Sequence, residues 1–103
     1  MFVELPTFNT AWKNLGMSDA DLHDLQNLIL TKSESGRDLG GGLYKIRFSP
    51  KSLNRGKSSA TRVIYVNVLR DEIIYLLTAY GKNAKSNLTD SEFKDAIQIA
   101  SKL

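Results

Sequence analysis

Along the chain the spacing of hydrophobic and polar positions changes several times, and each change marks an element. Phe2-Val3-Glu4-Leu5 reads as a short edge or starter strand, stopped by Pro6, which has no N–H to give to a ladder. Phe8, Trp12 and Leu15 then recur at i, i+4 and i+7, predicting a helix from Phe8 to Leu15 that Gly16 can end. Ser18 is placed to cap a second helix. In that helix Asp19 and Asp21 occupy the first turn, where they offset the positive end of the dipole, and Leu22, Leu25, Leu28 and Ile29 form an apolar stripe. The two helices predict a hairpin.

Lys32 to Gly42 breaks both periods with Ser33, Ser35, Gly36, Gly40, Gly41 and Gly42, and reads as a loop. The glycine triplet lacks the lysine-plus-hydroxyl ending and following helix of a nucleotide-binding loop, so its expected role is a tight turn. Leu43 to Phe48, Arg62 to Leu69 and Ile73 to Tyr80 are rich in β-branched and aromatic residues and predict strands, the last two joined across Arg70-Asp71-Glu72 as a hairpin. Ile73-Ile74-Tyr75-Leu76-Leu77 is apolar without alternation, which suits a central strand covered on both faces. Thr89-Asp90-Ser91-Glu92 has the form of a capping box and opens a final helix whose apolar face is Phe93, Ile97 and Ala100. The expected fold is α+β: an N-terminal helical hairpin, a twisted, mainly antiparallel sheet and a C-terminal helix.

Composition narrows the function. With 103 residues, 42% hydrophobic and 24% charged, residues 1–103 are expected to form a single domain. The absence of cysteine excludes disulfides and thiolate metal sites, and a lone histidine excludes multi-His zinc chemistry, so neither metal nor cofactor is expected. His23 lies off its helix's apolar stripe between acidic residues and reads as a solvated surface side chain. The apolar runs are shorter than the ~20 residues needed to cross a bilayer, and Glu4 and Pro6 interrupt any secretion signal, so a cytoplasmic protein without membrane contact is expected.

Charge changes the picture most. The net charge is only +3, yet residues 39–70 hold Lys45, Arg47, Lys51, Arg55, Lys57, Arg62 and Arg70 with no Asp or Glu, while residues 1–38 are mildly acidic. Like charges clustered on strands repel one another unless an anion neutralises them, and the phosphate backbone of a nucleic acid is the commonest such anion. Strand alternation places Lys45 and Arg47 side by side on one face, opposite Tyr44, Ile46 and Phe48. Arg62 enters at the start of its strand, near the mouth of a loop carrying Lys51, Arg55 and Lys57 as candidate phosphate contacts. Tyr65, Tyr75, Tyr80 and Trp12 read as core rather than as stacking platforms.

Gly41-Gly42-Leu43-Tyr44-Lys45-Ile46-Arg47, Arg62-Val63-Ile64-Tyr65, Tyr75-Leu76-Leu77-Thr78-Ala79-Tyr80-Gly81-Lys82-Asn83 and Asn87-Leu88-Thr89 together resemble the RelE/HigB family of type II toxins, in the HigB-like branch. The resemblance implies a compact microbial-ribonuclease-like fold and an endoribonuclease that cuts messenger RNA in the ribosomal A site. It implies attack of the RNA 2′-OH on the adjacent phosphate, with basic side chains replacing the His and Glu of other ribonucleases. It also implies a cognate helix-turn-helix antitoxin, through which alone operator DNA would be bound. By motif position Lys45, Arg47, Arg62 and Lys82 correspond to the catalytic cations, Lys45 or Lys82 as base and the arginines as phosphate clamps. Lys85 could stand in for a cation missing at Asn83, where some relatives carry arginine. Thr89 replaces a tyrosine, and Ser58-Ser59-Ala60 replaces loop glycines. The alternative is an RNA- or ribosome-binding module without catalysis. A DNA-binding protein is disfavoured because no helix carries the basic residues of a major-groove reader.

Overall fold

The computed structural model describes residues 1–31, 37–49, 61–68, 71–81 and 88–103. The elements, in chain order, are β1 (Phe2–Glu4), α1 (Pro6–Asn14), α2 (Asp19–Thr31), β2 (Arg37–Gly40), β3 (Leu43–Phe48), β4 (Thr61–Val68), β5 (Ile73–Gly81) and α3 (Asp90–Ser101). The strands form one sheet in the order β1-β5-β4-β3-β2. Among the described residues β1 and β5 pair in parallel, and the other three pairs are antiparallel. This is the expected α+β arrangement of helical hairpin, mainly antiparallel sheet and terminal helix.

Local chemistry accounts for the element ends. Pro6 does more than stop β1: it opens α1 at the first helical turn, where its missing N–H costs nothing, so the helix starts two residues before Phe8. Leu5 stays extended and its N–H donates to the Leu76 carbonyl at 3.0 Å, tying the strand-to-helix junction to β5. At the start of α2 the Asp21 N–H donates to Ser18 Oγ at 3.2 Å, and the Ser18 N–H to Asp21 Oδ2 at 2.9 Å. This reciprocal pair explains why Asp21 can be only 2% exposed.

One expectation is corrected. Arg37–Gly40, read from sequence as part of a loop, is strand β2, with Arg37 opposite Lys45 and Asp38 opposite Tyr44. Gly40, Gly41 and Gly42 all have positive φ (90°, 64° and 83°), so the chain reverses tightly and brings a segment of poor strand propensity alongside β3. Backbone pairing with β3 supplies what the side chains do not. The other residues of that predicted loop, 32–36, lie outside the described residues.

Helices cover both sheet faces. On one, α1 and α2 contribute Phe8, Trp12, Leu25 and Ile29 to a core with Ile46, Phe48, Val63, Tyr65, Ile74, Leu76 and Ala79. Trp12 joins the layers, its ring 5.2 Å from Phe8 and 5.7 Å from Phe48 between centroids. On the other, Ala96, Phe93 and Ile97 of α3 pack with Leu43, Ile64, Val66, Leu77 and Tyr80. Leu76 and Leu77 are thus both buried, in opposite cores, which is why the β5 sequence does not alternate. β4, flanked on both sides by antiparallel neighbours, is the middle strand, and β5 lies between it and β1.

The glycine turn also seats α3. A Cβ at Gly41 would collide with Cδ1 of Ile97, whereas one at Gly40 or Gly42 meets nothing within 4 Å. Gly41→Ala should therefore cost somewhat more stability than Gly40→Ala, by up to about 1 kcal/mol, because the end of the Ile97 side chain must move aside in addition to the shared positive-φ strain. Urea unfolding of both variants measures the difference, and Ile97→Ala in the Gly41→Ala background should recover part of it.

Candidate functional site

The antiparallel register of β3 and β4 builds the site. Arg47 stands directly opposite Arg62, Ile64 opposite Lys45, and Val66 opposite Leu43. Because side chains alternate along each strand and match across it, Lys45, Arg47 and Arg62 share the sheet face on which α3 packs. Toward α3 this face is apolar, with Leu43, Ile64 and Val66 buried. Beyond the helix it becomes cationic.

Arg37, counted from sequence with the acidic first third of the chain, joins the cluster through its register with Lys45. Only recognition of β2 as a strand would have found it. Arg62 is just 8% exposed, unlike the exposed Arg47. Its guanidinium acts electrostatically on both Lys45 and Tyr80. Lys82, Lys85, Lys51, Arg55 and Lys57 lie outside the described residues. His23 is exposed on α2, the helix on the opposite sheet face.

The electrostatics are unusual for a protein of modest net charge. Lys45 is half-buried, and its ammonium is held below the ordinary value of 10.5, first by burial and then by repulsion from Arg37, Arg62 and Arg47. Tyr80, opposite Arg62 in register, is shifted upward. Burial is the main cause, Arg62 works against it, and Glu92 adds to it. Trp12, Tyr65 and Tyr80 are buried and Tyr75 partly so, as expected of core residues, yet Tyr80 is buried on the cation-bearing face. Beside it a cavity of about 140 Å³ is lined by Leu39, Lys45, Tyr80, Leu88, Asp90 and Phe93.

Thr89 has a structural task. Its hydroxyl accepts from the Glu92 N–H at 3.2 Å, and its own N–H donates to Glu92 Oε1 at 2.9 Å, completing the predicted capping box of α3. Lys45, Arg47 and Arg62 thus bring to one sheet face two planar guanidinium forks, whose geometry suits paired anionic oxygens, and one ammonium of lowered pKa.

A mixed five-stranded sheet with helices on both faces and a group of cations on the face that carries the last helix defines a small α+β domain. The family model described as "RelE toxin of RelE / RelB toxin-antitoxin system" matches residues 5–103, every element except β1. The chain belongs to this family: it is the toxin of a toxin-antitoxin system, and an antitoxin is its counterpart. Among the described residues no helix is long and apolar enough to cross a membrane.

Because the Lys45 pKa is depressed on folding, the folded chain binds fewer protons than the unfolded chain between the depressed value and 10.5. The unfavourable contribution is complete below that window and fades as pH rises through it, so stability gains with pH there. Urea midpoints followed from neutral pH upward should rise more for the wild type than for Lys45→Met. Parallel pH profiles for the two proteins would contradict the assignment. Arg37, Arg47, Arg62, Tyr80 and Asp90 surround Lys45, and of these the Tyr80 hydroxyl is shifted above its ordinary value, chiefly by burial.

Proposed function

We propose that this toxin is an endoribonuclease that cuts messenger RNA on the ribosome without a metal. The observation that carries the reading is the convergence of Lys45, Arg47 and Arg62 on one sheet face, with the Lys45 pKa lowered by burial and by the arginines around it. A neutral Lys45 Nζ would take the proton from an RNA 2′-OH as its oxygen attacks the adjacent phosphorus. The new O2′–P bond forms as the P–O5′ bond breaks, giving a 2′,3′-cyclic phosphate and, once protonated, a 5′-hydroxyl. Arg47 and Arg62 would hold the non-bridging oxygens, whose charge grows in the transition state. DNA lacks the attacking hydroxyl and would be spared.

Lys82, by its place in the motif, would add a further cation or serve as an alternative base. Lys51, Arg55, Lys57 and Lys85 would contact the RNA backbone, and the messenger RNA in the ribosomal A site would be the substrate. The absence of cysteine and the exposed position of the one histidine, His23, support a reaction run by lysine and arginine. The antitoxin would be a helix-turn-helix protein that masks this face and carries the operator-binding function. A HigB-like branch and a cytoplasmic location go with this reading.

Expression of the wild type in a growing bacterium should arrest growth and create new messenger RNA ends, whereas Lys45→Met should cut about 10²–10⁴-fold more slowly. Arg62→Ala should also abolish the new ends; Arg47→Gln, at an exposed position, guards against loss of folding. Unaffected growth with the wild type would eliminate the toxic nuclease. RNA binding without new ends would instead identify a non-catalytic RNA- or ribosome-binding module.

A further inference from the structure

We infer that the cavity between α3 and the sheet is a nucleobase pocket in which Asp90 selects bases that carry an exocyclic amino group. The inference rests on the RNA-cleaving reading above and extends it to sequence preference. Four structural pieces meet here: Leu39 from β2, Lys45 from β3, Tyr80 from β5, and Leu88, Asp90 and Phe93 at the entry and first turn of α3. At about 140 Å³ the space holds far more than a single water. Its walls are two aromatic rings and two leucine side chains, suited to the flat apolar faces of a base splayed out of a single strand.

The two charged groups in the lining have opposite signs. Lys45 is the cation shared with the phosphate site, so a base entering the cavity would leave its own phosphate beside the Arg47 and Arg62 cluster. Asp90 would be a liability in a site for phosphate alone, because like charges brought together are costly. It becomes an asset if the ligand presents N–H donors. The dipole of α3 favours an acidic residue in the first turn, but it does not require that residue to border an apolar cavity that also holds a lysine.

Base chemistry then sets the order. Guanine offers adjacent N1–H and N2–H donors, which match the two oxygens of a carboxylate. Adenine and cytosine offer one amino group. Uracil flanks its single N3–H with two carbonyl oxygens, which would face the carboxylate unfavourably. Asp90 therefore favours guanine, accepts adenine or cytosine less well, and rejects uracil.

Titration of the ¹⁵N-labelled full chain with inorganic phosphate, 3′-GMP and 3′-UMP tests this by NMR. The wild type should bind 3′-GMP about tenfold more tightly than 3′-UMP, with shifts at Asp90 and Phe93 that phosphate alone does not produce. Asp90→Asn, which keeps the side-chain shape and leaves the Thr89–Glu92 cap intact, should bring the ratio near one. A ratio near one in the wild type, or a preference unchanged in Asp90→Asn, overturns the pocket and leaves the nuclease reading standing. Failure of phosphate and both nucleotides to shift Lys45 and Arg47 overturns the pocket and the phosphate site together.

Discussion

Everything in this molecule hangs on the register between β3 and β4. The same ladder that sets Ile46 against Val63 in the helix-covered core sets Arg47 against Arg62 on the other side. A slip of one residue would drive Lys45 and Arg47 into the core and turn Ile46 and Phe48 to water. Burying side chains of that size contributes about 1.5–3 kcal/mol each, whereas a like-charge cross-strand pair costs roughly 0.2–1 kcal/mol. Core formation therefore fixes the cluster in place against its own repulsion.

The cluster draws its chemistry from a boundary. α3 packs on the end of the face where Leu43, Ile64 and Val66 lie, so Lys45 sits beside an apolar layer with arginines around it. Partial burial and then repulsion from Arg37, Arg62 and Arg47 lower the pKa of the Lys45 ammonium. α3 is held there by Phe93, Ala96 and Ile97 against the sheet, and the Thr89 cap fixes where the helix begins.

Much of this was legible beforehand. The strand Leu43–Phe48, the capping box at Thr89 and Glu92, the Ser18 cap and the common face of Lys45 and Arg47 follow from short-range periodicity and hydrogen-bonding rules, which need only a few neighbouring residues. Arg37–Gly40 was missed because its strand character comes from its partner across the glycine turn rather than from its own side chains. With β2 missed, Arg37 was missed too. The burial of Arg62 and the place of Tyr80 beside it were equally hidden, since both depend on which strands flank β4.

By itself, the sequence determined the alternation that separates cations from core, the start and stop of the helices, and the family to which the chain belongs, because each is written in residues close together or in a motif order. Only the tertiary structure decided that Arg37 stands beside Lys45, that Arg62 is buried opposite Arg47, and that Asp90 and Phe93 share a cavity with Lys45. Those residues are distant in the chain, and the pairings that unite them arise from backbone register and helix docking, which no local pattern encodes.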